Sequence, residues 1–499
     1  MLSRVAHDPR WQNIGLALVM LATGLLLLAV SERIPVGNGL GFDGAEYGSW
    51  AMHFDDVLAG RIPLTAYRTM RLLPSALAYG VLHLLGAAMT PQNVIRFFEA
   101  FNLLLLCLAA FAWGRVADLA GLDRQGKWFG FLALFANHAV LKFNFYYPVL
   151  TDVSGYACAV FVLWAYLADR PVILLAVLAA GAFCWPTLPV YAGIALLFPR
   201  RDQTPGRPCP TCGCIAGLLA AAGYGLLAVR PLTAVAPFYP LAVAVVMAYL
   251  GLAAFALFAS PYRVGPMLRR AVSPVRLVGL AVAVAALFLA RSWLGTHMAQ
   301  ARSSGFNLPL SQMLWQYLRT TCIPLSTRFP GEFLVAHTLY FGPAFFFLAL
   351  FPRRAAAAAG RFGLGFLLLV GVAVGHAIMP LSRQWLAGWP VLVLVLASAL
   401  RGLPLSRGFW VCFTLLSLFV SKVWLLFNVS PLPGADGRSL DWVPRFSFEL
   451  YVSSTGRWMS FPWYLSQAAL LGVFFLCFLW YFHQKRTDAR QPLRLPGVR

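Results

Sequence analysis

The stretch IGLALVMLATGLLLLAV, residues 14–30, contains no charged side chain and is followed shortly by FDGAEY, residues 42–47. An apolar run of this length is long enough to cross most of the hydrocarbon core of a bilayer as an α-helix. No convincing small-residue cleavage site follows it, so we expect a retained signal-anchor helix. Comparable apolar runs recur along the whole chain. The pattern predicts a polytopic helical membrane protein.

The composition of the 499-residue chain agrees with this prediction. Hydrophobic residues make up 60% of it and charged residues 11%. This apolar fraction is larger, and the charged fraction smaller, than in water-soluble globular proteins. The net charge of +22 would suggest a nucleic-acid partner in a soluble protein. Here, however, the Lys and Arg residues cluster in short segments between apolar runs, as the positive-inside rule describes. We therefore expect a lipid bilayer as partner and no nucleic acid.

Apolar runs of suitable length predict about 12–14 transmembrane helices in an all-α fold with outer-face loops and an interfacial helix. The runs begin near residues 14, 94, 128, 149, 172, 188, 215, 235, 277, 334, 362, 385, 409 and 465. No soluble domain is evident between them. The sequence thus predicts one transmembrane domain over residues 1–499.

Basic residues between the runs predict the topology. They include Arg115 and Arg124, Arg200 and Arg201, Arg269 and Arg270, Arg353 and Arg354, and Arg401 and Arg407. All lie on one side if the N-terminus is inside, so we expect both termini in the cytoplasm. The opposite face then carries outer loops at residues 31–91, 291–331 and 428–462. The predicted location is the inner (plasma) membrane, with any active site facing the periplasm or exterior.

Two segments interrupt the simple count. Residues 71–89 are apolar enough for a helix, but counting them as a span would reverse the sidedness of the next loops, so we predict an interfacial helix on the outer leaflet. Residues 172–197 are too long for one span and contain Trp185-Pro186-Thr187-Leu188-Pro189. Each proline removes a backbone donor. This motif predicts two half-spans that meet at an outer break.

Three cysteines lie close together in Cys209-Pro210-Thr211-Cys212-Gly213-Cys214. A structural zinc site normally has four ligands, and no Cys or His partner follows nearby. The predicted cytoplasmic position also disfavours a stable disulfide. The sequence therefore assigns no role to these cysteines.

Acidic residues concentrate at the predicted outer boundary. Asp43 and Glu46 follow the first apolar run, and Asp152 begins a later one. An ionised carboxylate beside an apolar span is costly to desolvate, so chemistry or ion handling is one explanation for it. In a partly desolvated pocket such a group can act as a general base on a hydroxyl. The alternative is a solvated loop whose acids have no chemical role.

Arginines share the same face. Arg68 and Arg71 lie in the first outer loop, and Arg383 lies in a short outer turn between late spans. The donor fork of a guanidinium matches phosphate oxygens. These residues are candidate contacts for a phosphate leaving group, and the alternative is that they snorkel to lipid headgroups.

Four further residues complete the predicted substrate-binding set. Tyr47 and Tyr147 lie in the same outer segments as the acids. His337, near the outer start of its span, could bind phosphate or move a proton, although a lone membrane His is more often a packing residue. Lys422 lies within an apolar run, where an ammonium is costly, and is a candidate phosphate or carboxylate contact.

The order of these motifs resembles the GT-C superfamily of membrane glycosyltransferases. The resemblance rests on the short N-terminal tail, the first span, the Asp-containing FDGAEY, the segment Arg71-Leu72-Leu73-Pro74 and the pair Thr151-Asp152. It implies a polyprenyl-phosphate-linked sugar donor, a glycan, lipid or protein acceptor, transfer on the outer side, and inversion at the anomeric carbon. It implies Asp43 as catalytic base with Glu46 as its nearest substitute, Asp152 as the second acidic position, and Arg383 at the donor phosphate.

The motifs cover residues 1–200, a GT-C-like catalytic module, and residues 201–499 resemble the family by topology as a variable transmembrane module. The first-loop motif is Asp-x-x-Glu instead of the adjacent Asp-Glu or Asp-x-Asp of several branches. A divalent ion is usually held by carboxylates that are more closely spaced than those of this motif. We therefore predict no metal site and no cofactor, and a divalent metal is the less favoured alternative. Two other classes remain open, a lipid or polysaccharide transporter and an O-antigen ligase or polymerase.

Overall fold

The computed structural model describes residues 9–62, 64, 66–201, 207–228, 238–260, 262, 274–297, 315–403, 405–428 and 459–488. Every regular element in these residues is a helix, and none of them forms a strand. The predicted all-α class is therefore confirmed for the described part of the chain. The predicted outer loop 428–462 lies almost entirely outside the described residues, and so does the part 298–314 of the predicted outer loop 291–331.

The helices of ten residues or more are numbered in chain order. They are α1 Pro9–Val30, α2 Phe42–Met52, α3 Leu73–Leu84, α4 Pro91–Leu119, α5 Arg124–Phe135, α6 Asp152–Leu167, α7 Pro171–Gly181, α8 Leu188–Leu197, α9 Pro210–Ala228, α10 Tyr239–Phe258, α11 Pro274–His297, α12 Glu332–Phe341, α13 Pro352–Arg361, α14 Leu364–His376, α15 Trp389–Ala399, α16 Arg407–Ser421 and α17 Phe461–Asp488.

Six of the described helices are long and apolar enough to cross a membrane. They are α1, α4, α9, α10, α11 and α17. Large apolar side chains on these helices remain exposed, among them Leu218 on α9, Phe288 on α11 and Leu476 on α17. An exposed apolar surface of this extent indicates contact with lipid. The chain therefore has the character of a helical membrane protein.

Other predicted spans form shorter apolar helices of 10–17 residues. A helix of 12 residues rises only about 18 Å, against a hydrocarbon core of about 30 Å. Within the described residues, the helices of spanning length therefore number six, against about 12–14 predicted crossings. Helix breaks divide some of the predicted runs. The run that begins near residue 128, for example, is divided into α5 and the π-helix Ala139–Phe143.

The two predicted interruptions appear at the helix level. The run 172–197 forms α7 and α8, separated by the segment that contains Trp185 and Pro186, because each proline prevents a continuous backbone ladder. The segment 71–89 forms α3, which has 12 residues and exposes Leu77 and Leu84. By length α3 is too short to cross a bilayer alone.

One buried ionic network links α1, α4 and α5. Lys127 Nζ lies 2.5 Å from Asp118 Oδ1 and 3.1 Å from Asn13 Oδ1. Asn13 Nδ2 donates to Asp118 Oδ2 at 2.8 Å. Each charge therefore has a partner at close range. We call these three residues the Asp118 clamp.

The cysteine segment differs from expectation. Cys209 and Cys212 form a disulfide just before and within the first turn of α9, whereas the sequence argued against one. The spacing explains the difference, because the helix turn brings positions 209 and 212 to a Cα separation of 5.3 Å, within the range that a disulfide bridges. Cys214 is free and exposed.

Candidate functional site

The motif FDGAEY forms the first turns of α2 rather than a loop, which corrects the sequence interpretation. Glycines explain its placement. Gly41 has φ +80°, a conformation that favours glycine. A Cβ at Gly44 would lie 2.7 Å from Val149 O, and the Gly44 N–H donates to Tyr147 Oη at 3.0 Å. The start of α2 is thereby fixed against the segment that leads to Asp152.

Arg383 joins the two separated acids. Its Nε and Nη2 donate to Asp152 Oδ1 and Oδ2 at 2.8 and 3.0 Å, a bidentate pair. Its Nη1 lies 3.7 Å from Asp43 Oδ2. Bidentate guanidinium–carboxylate pairs are both strong and directional. Three residues far apart in the sequence are therefore one ionic unit.

Arg68 extends this unit. Its Nη2 lies 2.7 Å from Glu46 Oε2 and 3.5 Å from Asp43 Oδ1, and its Nη1 donates to Tyr47 Oη at 3.1 Å. Burial alone would lower the pKa of Arg68, but Tyr47 and the two carboxylates raise it. Arg68 therefore stays charged. We call Asp43, Glu46, Arg68, Asp152 and Arg383 the Asp43 cluster.

Asp43 is the acid of this cluster that is least engaged. Its contacts with Arg68 and Arg383 measure 3.5 and 3.7 Å, and its side chain is 39% exposed. Asp152 is only 8% exposed and holds Arg383 with both oxygens. Charge-assisted hydrogen bonds usually measure about 2.7–2.9 Å. Asp43 is thus the carboxylate with free capacity to accept a proton from a ligand.

Tyr47 and Tyr147 are buried tyrosines next to the Asp43 cluster. Tyr47 is fully buried, and its backbone oxygen accepts from Ser75 Oγ at 2.9 Å, which ties α2 to α3. Burial raises the pKa of Tyr47 and of Tyr147. Both hydroxyls therefore stay protonated. Their hydroxyls accept hydrogen bonds from Arg68 and from the Gly44 N–H, so they support the cluster.

Arg71 lies beside the Asp43 cluster and, unlike Arg68 and Arg383, contacts hydroxyl groups. It is buried, donates from Nη1 to Thr151 Oγ1 at 3.2 Å and from Nη2 to Tyr67 Oη at 2.6 Å. Its guanidinium lies 4.1 Å from the centroid of the Trp185 ring. Thr151 precedes Asp152, so Arg71 adjoins the same helix start that carries the acid.

Two further predicted substrate contacts are His337 and Lys422. His337 is fully buried; its Nδ1 pairs with Ser382 Oγ at 3.0 Å and its Nε2 with Ala377 O at 2.8 Å. Both ring nitrogens are therefore engaged inside the protein, and the contact with Ser382 joins His337 to the turn that carries Arg383. Lys422 follows the last residue of α16 in a left-handed conformation, and its role as a substrate contact stays a prediction.

Sequence reasoning missed the aromatic side of the site. Arg383 lies over the Phe143 ring at 5.1 Å, and the Phe143 and Tyr340 rings are 6.1 Å apart. The buried Tyr340 hydroxyl has no hydrogen-bond partner within the described part of the chain. These residues lie in apolar runs, where nothing in the sequence distinguishes them from ordinary core positions.

The candidate residues also bear on metal binding. In the described ranges, no group of three His, Cys, Asp or Glu side chains is arranged to hold a metal ion. The acids of the Asp43 cluster face guanidinium groups.

Comparison with known proteins adds no relative. No protein-family model matches the chain, and the searches of curated proteins and of solved structures likewise return no match.

Proposed function

We propose that this protein is a membrane glycosyltransferase that moves a sugar from a polyprenyl-phosphate donor to a glycan, lipid or protein acceptor of the cell envelope. The observation that carries the proposal is the meeting of Asp43, Asp152 and Arg383 in one ionic unit. The sequence placed these residues on one face from the positions of apolar runs alone. Their contact is what a shared active site requires.

The reaction needs a base and a stabilised leaving group. Asp43 accepts the proton of the acceptor hydroxyl while that oxygen forms a bond to the anomeric carbon. The bond between this carbon and the phosphate oxygen breaks, and its electron pair leaves with the phosphate. Attack from the side opposite the phosphate inverts the anomeric centre.

The chain supplies positive charge where the leaving phosphate gains negative charge. Arg68, Arg71 and Arg383 surround the acids. Preorganised donors in a site partly shielded from water stabilise developing charge more strongly than water does. Asp152 holds Arg383 by two hydrogen bonds, so we assign it the positioning of this guanidinium, and Glu46 does the same for Arg68.

The proposal includes the organisation of the membrane domain. The short helices, such as α7 and α8, complete further crossings as half-spans, which gives the 12–14 crossings of a GT-C-like fold. Residues 1–200 form the catalytic module and residues 201–499 the variable module. The Asp43 cluster faces the periplasm or exterior of the plasma membrane, and both termini lie in the cytoplasm.

Purified full-length protein in lipid nanodiscs tests the proposed reaction. A panel of polyprenyl-phosphate sugars is incubated with it, and release of the polyprenyl phosphate is followed by mass spectrometry. We expect release from at least one donor, and loss of a sugar from envelope glycans in cells that lack the protein. Movement of an intact lipid-linked sugar across the bilayer without cleavage would instead establish the transporter class.

A further inference from the structure

Arg71 carries a buried charge that has no acidic partner among the described residues. It is 4% exposed, and both of its described hydrogen bonds go to neutral hydroxyls, those of Thr151 and Tyr67. Its Nε is buried and makes no hydrogen bond. A buried cation is costly unless it is paired. Arg71 therefore has an unfilled requirement for an anion.

The other two arginines of the site do not have this requirement. Arg68 contacts Glu46 at 2.7 Å, and Arg383 contacts both oxygens of Asp152. A phosphate that approached either of them would have to displace or repel a carboxylate. At Arg71 it would meet no carboxylate within ion-pair distance among the described residues.

Further unpaired polar atoms lie on the segments that contact Arg71. Trp185, whose ring lies against the guanidinium, has a buried Nε1 without an acceptor among the described residues, and the same holds for Thr187 Oγ1 and Ser154 Oγ on the neighbouring segments. Buried polar groups in proteins are nearly always hydrogen-bonded. The Trp185 N–H beside the buried guanidinium therefore favours a ligand with acceptor oxygens.

The start of α6 adds a backbone contribution. Thr151, which accepts from Arg71, is the N-cap of this 16-residue helix and makes no side-chain cap hydrogen bond. The first N–H groups of a helix lack intrahelical partners and favour negative charge. The buried Arg71 and the helix start thus favour the same kind of ligand.

We propose that Arg71, with Tyr67, Thr151 and Trp185, forms the site that holds an organic phosphate by direct contact, whereas Arg68 and Arg383 stay paired with Glu46 and Asp152 and contribute their positive charge at longer range. The identity of the phosphate as that of the sugar donor rests on the proposed function. The same chemistry would accept a lipid-linked phosphate or a free one.

Binding without transfer tests the site. Native mass spectrometry of the purified full chain measures occupancy by a polyprenyl monophosphate, by the polyprenol of equal length, and by the phosphate in competition with inorganic phosphate. We expect the monophosphate to bind and the polyprenol to bind far more weakly. If inorganic phosphate competes, the phosphate group alone is sufficient for binding. If it does not compete, the site requires the lipid-linked phosphate. Equal binding of polyprenol, or no binding of the phosphate, would overturn the site.

Variants locate the binding. Arg71→Gln is expected to weaken binding of the monophosphate by about 10- to 100-fold, the range for losing a charged hydrogen-bond partner, and Arg71→Lys by less. Arg61→Gln is the matched control, since Arg61 lies in the same outer segment but is 66% exposed and paired with Asp56. Unchanged binding in Arg71→Gln contradicts the proposal. If that variant does not fold, unchanged binding in both Arg71→Lys and Tyr67→Phe contradicts it.

These results separate the two proposals. Arg71-dependent binding without any sugar transfer would leave the phosphate site intact and remove the transferase. Transfer with normal phosphate binding in Arg71→Gln would leave the transferase and remove this site.

Discussion

The Asp118 clamp and the Asp43 cluster are two ionic networks near different parts of the same helix, α4. Asn102 on α4 donates to Pro148 O, close to Asp152, and Asp118 lies 16 residues later, a rise of about 24 Å. In the clamp, the three contacts measure 2.5–3.1 Å. In the cluster, the contacts of Asp43 with arginines of the described residues measure 3.5 and 3.7 Å.

The difference indicates what each network does. A polar network that joins helices gains most when all its members are satisfied, because an unpaired buried group is costly. A network that receives a substrate needs free capacity, at some expense in stability. The clamp fits the first description and the cluster the second. The comparison predicts that mutations in the cluster reduce turnover, whereas mutations in the clamp reduce stability.

The largest effect is expected at Asp43. Asp43→Asn keeps the size of the side chain but removes the base, so turnover of the donor should fall by about a hundredfold or more. The measurement is the initial rate of sugar transfer in nanodiscs, with thermal unfolding as the check on folding. Near-normal turnover would assign the role to Glu46 or end the enzymatic interpretation.

Next in size is the clamp. Asp118→Asn removes the carboxylate that pairs with Lys127, whose side chain is only 4% exposed. Breaking a buried pair on one side costs about 3–5 kcal/mol, and we expect the lower end because Asp118 is 25% exposed. The measurement is unfolding in detergent. Asp56→Asn, in the exposed pair with Arg61, should cost less than about 1 kcal/mol. Equal losses in the two variants would contradict the comparison.

A smaller effect is expected at Arg383. Arg383→Lys preserves the charge but loses the fork that holds both oxygens of Asp152. Turnover should fall by about tenfold, the effect of a loss near 1.4 kcal/mol, and Arg383→Ala should lower it further. The rates are compared at equal amounts of folded protein. Full activity in Arg383→Ala would exclude it from the active site.

The smallest effect is expected at Glu46. Glu46→Gln removes the 2.7 Å ion pair with Arg68, yet Arg68 keeps its contacts with Tyr47 and Asp43. A partly exposed pair contributes about 0–1 kcal/mol, so turnover should fall only a few-fold. A loss as large as that of Asp43→Asn would identify Glu46 as the base.

Much of the site was predictable because charged residues at a membrane boundary are conspicuous. Asp43, Asp152 and Arg383 stand out against apolar runs, and their contact follows from placing them on one face. Arg71 was predictable as a candidate, but its lack of an acid depends on side-chain geometry that no sequence pattern encodes.

The helical class was likewise predictable from apolar runs, and the break at Trp185-Pro186 from its prolines. The lengths of the helices were not. The π-helix Ala139–Phe143 and Gly342, which has a φ of +87°, interrupt runs that look continuous by hydropathy. Such breaks depend on tertiary packing, which overrides local preference.

The central claim is that the Asp43 cluster and the Asp118 clamp lie at opposite faces of the membrane, and thiol labelling tests it most directly. Single cysteines are placed at Arg61, an exposed position in the segment between Asp43 and Arg68, and at Gln125, an exposed position two residues before Lys127 of the Asp118 clamp, in a chain without other reactive cysteines. A membrane-impermeant thiol reagent is added to cells whose outer envelope is permeable to it and whose plasma membrane is intact. The account predicts labelling of Arg61→Cys alone, with Gln125→Cys labelled only after lysis. Labelling of both from outside, or of Gln125→Cys alone, would contradict it.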